Sequence, residues 1–152
     1  MAGRERRKIS TWYCVEAVRK PDCDAANLTA AGVGDRCQVV GGDFFEAVPE
    51  GGDVYIVSHC IHNWDEPSCV RILANCRRAM QQAGRLLIIE ALVRPGDEPD
   101  PAKILDLAML LIPGGQERSQ EEYRILLEKA GLRLTRVVST RTSASIIEAI
   151  PA

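Results

Sequence analysis

Short unbroken apolar runs alternate along this chain with stretches in which apolar residues return every three or four positions. That alternation predicts strands interleaved with helices. Val39-Val40 centres a strand over 37–41, Val54-Tyr55-Ile56-Val57 a second over 53–58, and Leu86-Leu87-Ile88-Ile89 a third over 85–90. Runs apolar at every position belong to strands covered on both faces, as in parallel sheets. Between the second and third runs, Asp65 can cap a helix with Pro67 in its first turn. Cys69, Leu73, Cys76 and Met80 then share one helical face, and Gly84 closes the segment. Residues 53–90 thus predict a βαβ unit, right-handed by the usual crossover rule.

The flanking segments read less evenly. Residues 25–31 predict a short helix closed by Gly32 or Gly34, whereas 1–26 carry a basic start at Arg4, Arg6, Arg7 and Lys8 and no clear period. A solvated terminus is the expectation there. After a turn-rich loop over 95–101, Ile104, Leu107, Ala108 and Leu111 mark one helical face ended by Pro113-Gly114-Gly115. Ser119-Gln120-Glu121-Glu122 is a capping box, followed by an apolar stripe at Tyr123, Leu126, Leu127 and Ala130 and a closing Gly131. Two β-rich segments, 132–140 and 144–150, are joined by Arg141-Thr142-Ser143 and predict an antiparallel hairpin.

Composition narrows the partners. At 152 residues, 46% apolar, the chain suits one globular domain, and a net charge of -2 argues against nucleic acid or an anionic membrane. No apolar run approaches the length of a membrane span and residues 1–20 hold no signal-type segment, so the expected address is the cytoplasm. Six cysteines without a Cys-x-x-Cys pair read as reduced thiols. A zinc set drawn from His59, Cys60, His62 and Cys69 has no recognised ligand spacing, and no metal is expected.

The stretch 41–64 holds the candidate chemistry. Asp43 follows the first apolar strand and His62 follows the second, and the carboxyl ends of strands in an open α/β sheet border its ligand crevice. Histidine titrates near neutrality, at about 6.5, which suits a general base. Asp43 directly after Gly42 is equally suited to closing an Asx turn.

Four words of sequence carry a resemblance: Gly42-Asp43-Phe44-Phe45, His62-Asn63-Trp64-Asp65-Glu66, Gly84-Arg85-Leu86-Leu87-Ile88-Ile89-Glu90, and Gly114-Gly115-Gln116-Glu117-Arg118-Ser119. In this order and spacing they resemble the successive motifs of S-adenosylmethionine-dependent O-methyltransferases of the caffeic acid type and their bacterial relatives. The resemblance implies a partial class I methyltransferase sheet, Rossmann-like, mostly parallel and ending in an antiparallel hairpin, with residues 27–152 as an incomplete C-terminal catalytic domain after a poorly defined 1–26. It further implies His62 as the catalytic base flanked by Glu90 and Glu117, and S-adenosyl-L-methionine held by Asp43, Phe44 and Ser58. Met109 and Trp64 would line the pocket of a small, aromatic hydroxyl acceptor. Two positions depart from the family pattern: Asn63 stands for its usual Asp, and Ser58 for a cofactor-contacting Lys.

The family's Gly-rich cofactor loop and the acid that ends its next strand have no counterpart in the sequence. An exposed edge at 37–41 is therefore expected, and a homodimer is an expectation only by resemblance, since the family's helical dimerisation domain is absent. The alternative is a non-catalytic remnant or binding module of the same fold. A dinucleotide-dependent oxidoreductase shares the α/β pattern but requires a G-x-G-x-x-G after a strand, which the sequence lacks.

Overall fold

In the computed structural model, which describes residues 12–17, 21–111 and 114–152, the chain divides into two units, Met1–Pro49 and Glu50–Ala152. The first is built on two parallel strands, β1 (Trp12–Ala17) and β2 (Cys37–Gly42), joined through helix α1 (Pro21–Ala30). Trp12 stands opposite Cys37 and Ala17 opposite Gly42. Strand β1 places residues 12–17 of the poorly defined segment 1–26 in a ladder with β2. Its aromatic and β-branched residues favour a strand once β2 offers a ladder to pair with. It pairs along one side of β2; the other side of β2 has no ladder partner among the described residues. The helix begins at Pro21, four positions before its expected start, with the proline at the helical position that tolerates a missing N–H. Gly32 closes this region at φ 69°. The basic residues before Thr11 lie outside the described residues.

The second unit is a four-stranded sheet in the order β3 (Val54–Ser58), β4 (Arg85–Ala91), β6 (Ala144–Pro151), β5 (Leu132–Ser139). β3 and β4 run parallel, with α2 (Glu66–Ala79) as the crossover between them. β4 and β6 are antiparallel, as are β6 and β5. The sheet is accordingly mixed rather than mostly parallel. The reason is the C-terminal hairpin, which inserts its second strand beside β4, so both neighbours of β6 must run against it.

Local signals formed as the sequence predicts. Asp65 Oδ1 accepts the Ser68 amide at 3.0 Å at the start of α2, and Cys69, Leu73, Cys76 and Met80 are all buried. At α4 (Gln120–Lys129) the capping box closes both ways: Ser119 Oγ accepts the Glu122 amide at 3.3 Å, and Glu122 Oε2 accepts the Ser119 amide at 2.7 Å. Tyr123, Leu126 and Leu127 bury the inward face of α4, and with Ile61, Leu86, Ile88, Leu132 and Ile147 they belong to the core of this unit.

Helix α3 (Pro101–Leu111) behaves otherwise. Ile104, Leu107 and Leu111 are 74%, 62% and 83% exposed, so the stripe faces solvent. Periodicity marks that a helix has an apolar face, and it is silent on what covers that face. Among the described residues no helix is long and apolar enough to cross a membrane.

Candidate active site

Three segments meet at the carboxyl end of β4. Glu90 is the penultimate residue of that strand and fully buried, since β4 lies between β3 and β6. A single 3-10 turn over Ile61–Asn63 follows β3 and presents His62, which is 8% exposed. The loop before α4 supplies Glu117, tied to the strand layer by an isolated parallel bridge between Leu92 and Arg118.

Glu90 fixes the turn. Its Oε1 accepts the amides of Cys60 at 2.8 Å and Ile61 at 2.9 Å, the donors that the turn would otherwise leave unpaired in the interior. Its Oε2 lies 3.4 Å from Nδ1 of His62. Glu117 Oε1 lies closer, 2.6 Å from the same nitrogen. With Glu117 ionised, a carboxylate only accepts hydrogen bonds, and the imidazole proton then sits on Nδ1 and the lone pair on Nε2. Burial raises the Glu117 carboxyl above the usual glutamate range; the His62 contact opposes this, while the charges of Glu90 and Asp106 add to it.

The loop is held by groups that sequence reasoning did not single out. Asp106 Oδ1 on α3 accepts the Glu117 amide at 2.8 Å, and the Gln116 amide donates to the His62 carbonyl at 2.9 Å. Arg118 is 2% exposed and donates to the carbonyls of Ile61, Gln116 and Trp64. Gly115 passes so close to the turn that a Cβ there would stand 1.9 Å from the His62 carbonyl oxygen. A lone Asp within the apolar stripe of α3 was the available signal for Asp106; a Gly-Gly pair offers none for a close approach as against a turn.

The remaining candidates are distributed as follows. Ser58 is exposed at the end of β3. Trp64 is half-buried and its carbonyl receives Arg118 at 3.0 Å and the Cys69 thiol at 3.3 Å. Met109 is half-buried on α3, where its carbonyl accepts the Gly115 amide. Asp43 and Phe44 belong to the first unit. Asp43 is exposed and its Oδ1 takes the Phe45 amide at 2.8 Å, the Asx turn anticipated as its structural role, and the Phe44 and Phe45 rings pack at 5.0 Å.

Cys37, Cys60, Cys69 and Cys76 are free thiols. Burial pushes Cys69 up to about 11 and Cys76 up to about 12, and raises Cys60 as well, so these side chains remain protonated near neutrality and are poor nucleophiles. What the site brings together is one imidazole beside two buried carboxylates.

A family model for the O-methyltransferase domain matches residues 23–133. The chain belongs to that family. The O-methyltransferase PhzM of Lysobacter antibioticus, which acts on phenazine by its name, is 51% identical over 124 residues, 82% of this chain and 36% of the relative. The crystal structure of LaPhzM superposes with a TM-score of 0.89 at 44% identity, covering 93% of this chain and 43% of the other. NcsB1, an O-methyltransferase from neocarzinostatin biosynthesis solved with S-adenosylmethionine and 2-hydroxy-5-methyl naphthoic acid, superposes at 0.83 with 31% identity over 93% of this chain and 42% of the other. This O-methyltransferase domain thus spans well under half the length of the relatives it matches, and its α/β methyltransferase fold is shared with them.

Proposed function

We propose that this chain supplies the acceptor-side half of an S-adenosylmethionine-dependent O-methyltransferase, with His62 as the general base that takes the proton from a hydroxyl of a small aromatic acceptor. The observation that carries this reading is the 2.6 Å contact between His62 Nδ1 and the buried Glu117, with Glu90 at 3.4 Å on the same nitrogen. It leaves Nε2 as the basic atom. As a hydroxyl attacks a methyl group, its proton moves to Nε2 and the imidazole becomes a cation held between two carboxylates. A buried pair of this kind stabilises the charge as it develops and keeps the ring in one orientation. Burial of His62 excludes water, which strengthens that stabilisation.

S-adenosylmethionine would supply the electrophilic methyl group. Within the first unit the exposed Asp43 has a second carboxylate oxygen that suits the adenine amino group; within the second, Ser58 has a hydroxyl at a strand end. Trp64 and Met109 would border the acceptor. Support from relatives is of the same kind, since NcsB1 was solved with this cofactor and a hydroxylated naphthoic acid.

A second reading, a non-catalytic remnant or binding module, is favoured by one observation: Asp43 Oδ1 already takes the Phe45 amide at 2.8 Å, the structural turn rather than a ligand contact. Isothermal titration with S-adenosylmethionine separates the two. Micromolar binding supports the enzyme; binding only at millimolar concentration, or none, supports the remnant.

A further inference from the structure

Both histidines of this chain lie at one spot, and a carboxylate oxygen without a hydrogen bond lies between them. Glu90 is fully buried, its Oε1 is taken by two amides, and its Oε2 has no hydrogen-bond partner. That oxygen is 3.4 Å from Nδ1 of His62 and 4.0 Å from Nδ1 of His59. Donor atoms of His59, His62 and Glu90 all fall within 4.8 Å of one another. Ligands on a tetrahedral zinc ion, with bonds of about 2.0–2.1 Å, stand about 3.3 Å apart. The His62–Glu90 spacing already has that value, the His59–Glu90 spacing of 4.0 Å is somewhat wider, and the two histidines offer donor atoms within 4.8 Å of each other.

We propose that His59, His62 and Glu90 form a binding site for a zinc-class divalent cation, with a water as the fourth donor. Two imidazoles and one carboxylate suit zinc or cobalt better than magnesium or calcium, which prefer all-oxygen shells. His59 gives the site its entrance. Its side chain is 61% exposed, and its φ of 47° places it in the left-handed region that residues other than glycine seldom adopt. The set differs from the cysteine-containing one weighed on sequence grounds: the Cys69 thiol donates to the carbonyls of Ile61 and Trp64, and Glu90, distant in sequence, takes its place.

Occupancy would have a chemical consequence. A neutral imidazole carries one proton; a cation on Nδ1 of His62 shifts that proton to Nε2 and removes the lone pair that would accept from a hydroxyl. The cation and the base function exclude each other at His62. This consequence rests on the methyl-transfer reading, whereas the binding site does not.

Titration of the intact chain with cobalt(II), a spectroscopic stand-in for zinc, tests the site by absorption and needs no turnover. One equivalent is expected, giving the visible bands of four-coordinate cobalt without thiolate charge transfer, and zinc should displace it. His59→Asn, which keeps a residue at ease with positive φ, should weaken binding at least tenfold, and Cys60→Ser should not. On the unaltered chain, zinc should protect His59 from carbethoxylation by diethyl pyrocarbonate, read by mass spectrometry. Unchanged affinity in His59→Asn, a thiolate charge-transfer spectrum, no binding up to millimolar cobalt, or no protection of His59 would each overturn the proposal and leave the methyl-transfer reading standing.

Discussion

Oε1 of Glu117 lies 2.6 Å from Nδ1 of His62, although 55 positions of chain separate the two residues. The contact orients the ring with Nε2 free, and it motivates the first prediction. In a chain that includes the length its relatives possess beyond it, His62→Ala should lower turnover by roughly 10²- to 10⁴-fold while leaving S-adenosylmethionine affinity nearly unchanged. Steady-state kinetics beside cofactor titration check it. A folded, cofactor-binding His62→Ala protein with normal turnover would sink the assignment of the base.

The two carboxylates should differ when removed. Glu117→Gln should slow turnover with little loss of stability, because Glu117 contributes mainly to the imidazole. Glu90→Ala should also destabilise the fold, by about 1–3 kcal/mol for each buried donor left unpaired, since the amides of Cys60 and Ile61 lose their acceptor. Their rate effects should be non-additive with each other and with His62→Ala. Denaturant melts and a double-mutant cycle measure both; additive rate losses would show that the three side chains do not act as one unit.

Gly115→Ala tests the close approach of the loop to the turn. A Cβ at 1.9 Å from the His62 carbonyl oxygen cannot be accommodated without moving backbone, and overpacking of this kind costs about 1–3 kcal/mol. The urea midpoint should fall accordingly. Gly114→Ala meets no such obstacle in space, but its φ of 73° makes it strained too, so Gly52→Ala, where only the Tyr55 ring must yield, is the better control.

Glu148 gives a pH signature remote from the site. Burial pushes its carboxyl upward, but the hydrogen bonds and charges of Arg136, at 2.7 Å, and of Arg85 outweigh this and hold it below the usual glutamate range. A depressed folded-state pKa contributes stability that is fully present above the unfolded value, about 4.3, and is lost as pH falls through the folded one. The urea midpoint of the parent chain should therefore exceed that of Glu148→Gln at pH 7, and the gap should shrink below about pH 4. A gap independent of pH would show that the ion pairs contribute nothing through ionisation.

The sequence by itself determined those features whose causes lie within a few residues. The capping box at Ser119 and Glu122, the Asp65 cap, the apolar face of α2 and the parallel β3–α2–β4 unit all follow from periods and end signals that operate over one or two turns, and each formed as read. The family motifs named His62, Glu90 and Glu117 without any geometry. Tertiary structure decided the rest, because it depends on partners far along the chain. Only the folded chain places β6 between β4 and β5, turns the stripe of α3 toward solvent, and gives β2 a partner at Trp12–Ala17. Only there do Glu90 and Glu117 meet one nitrogen of His62, with Arg118 binding three carbonyls and Gly115 leaving room for the turn. An apolar period reports which face of an element avoids water, and a motif reports which residues recur together. The distances at which buried charges act on one another are set by packing between segments that no local pattern encodes.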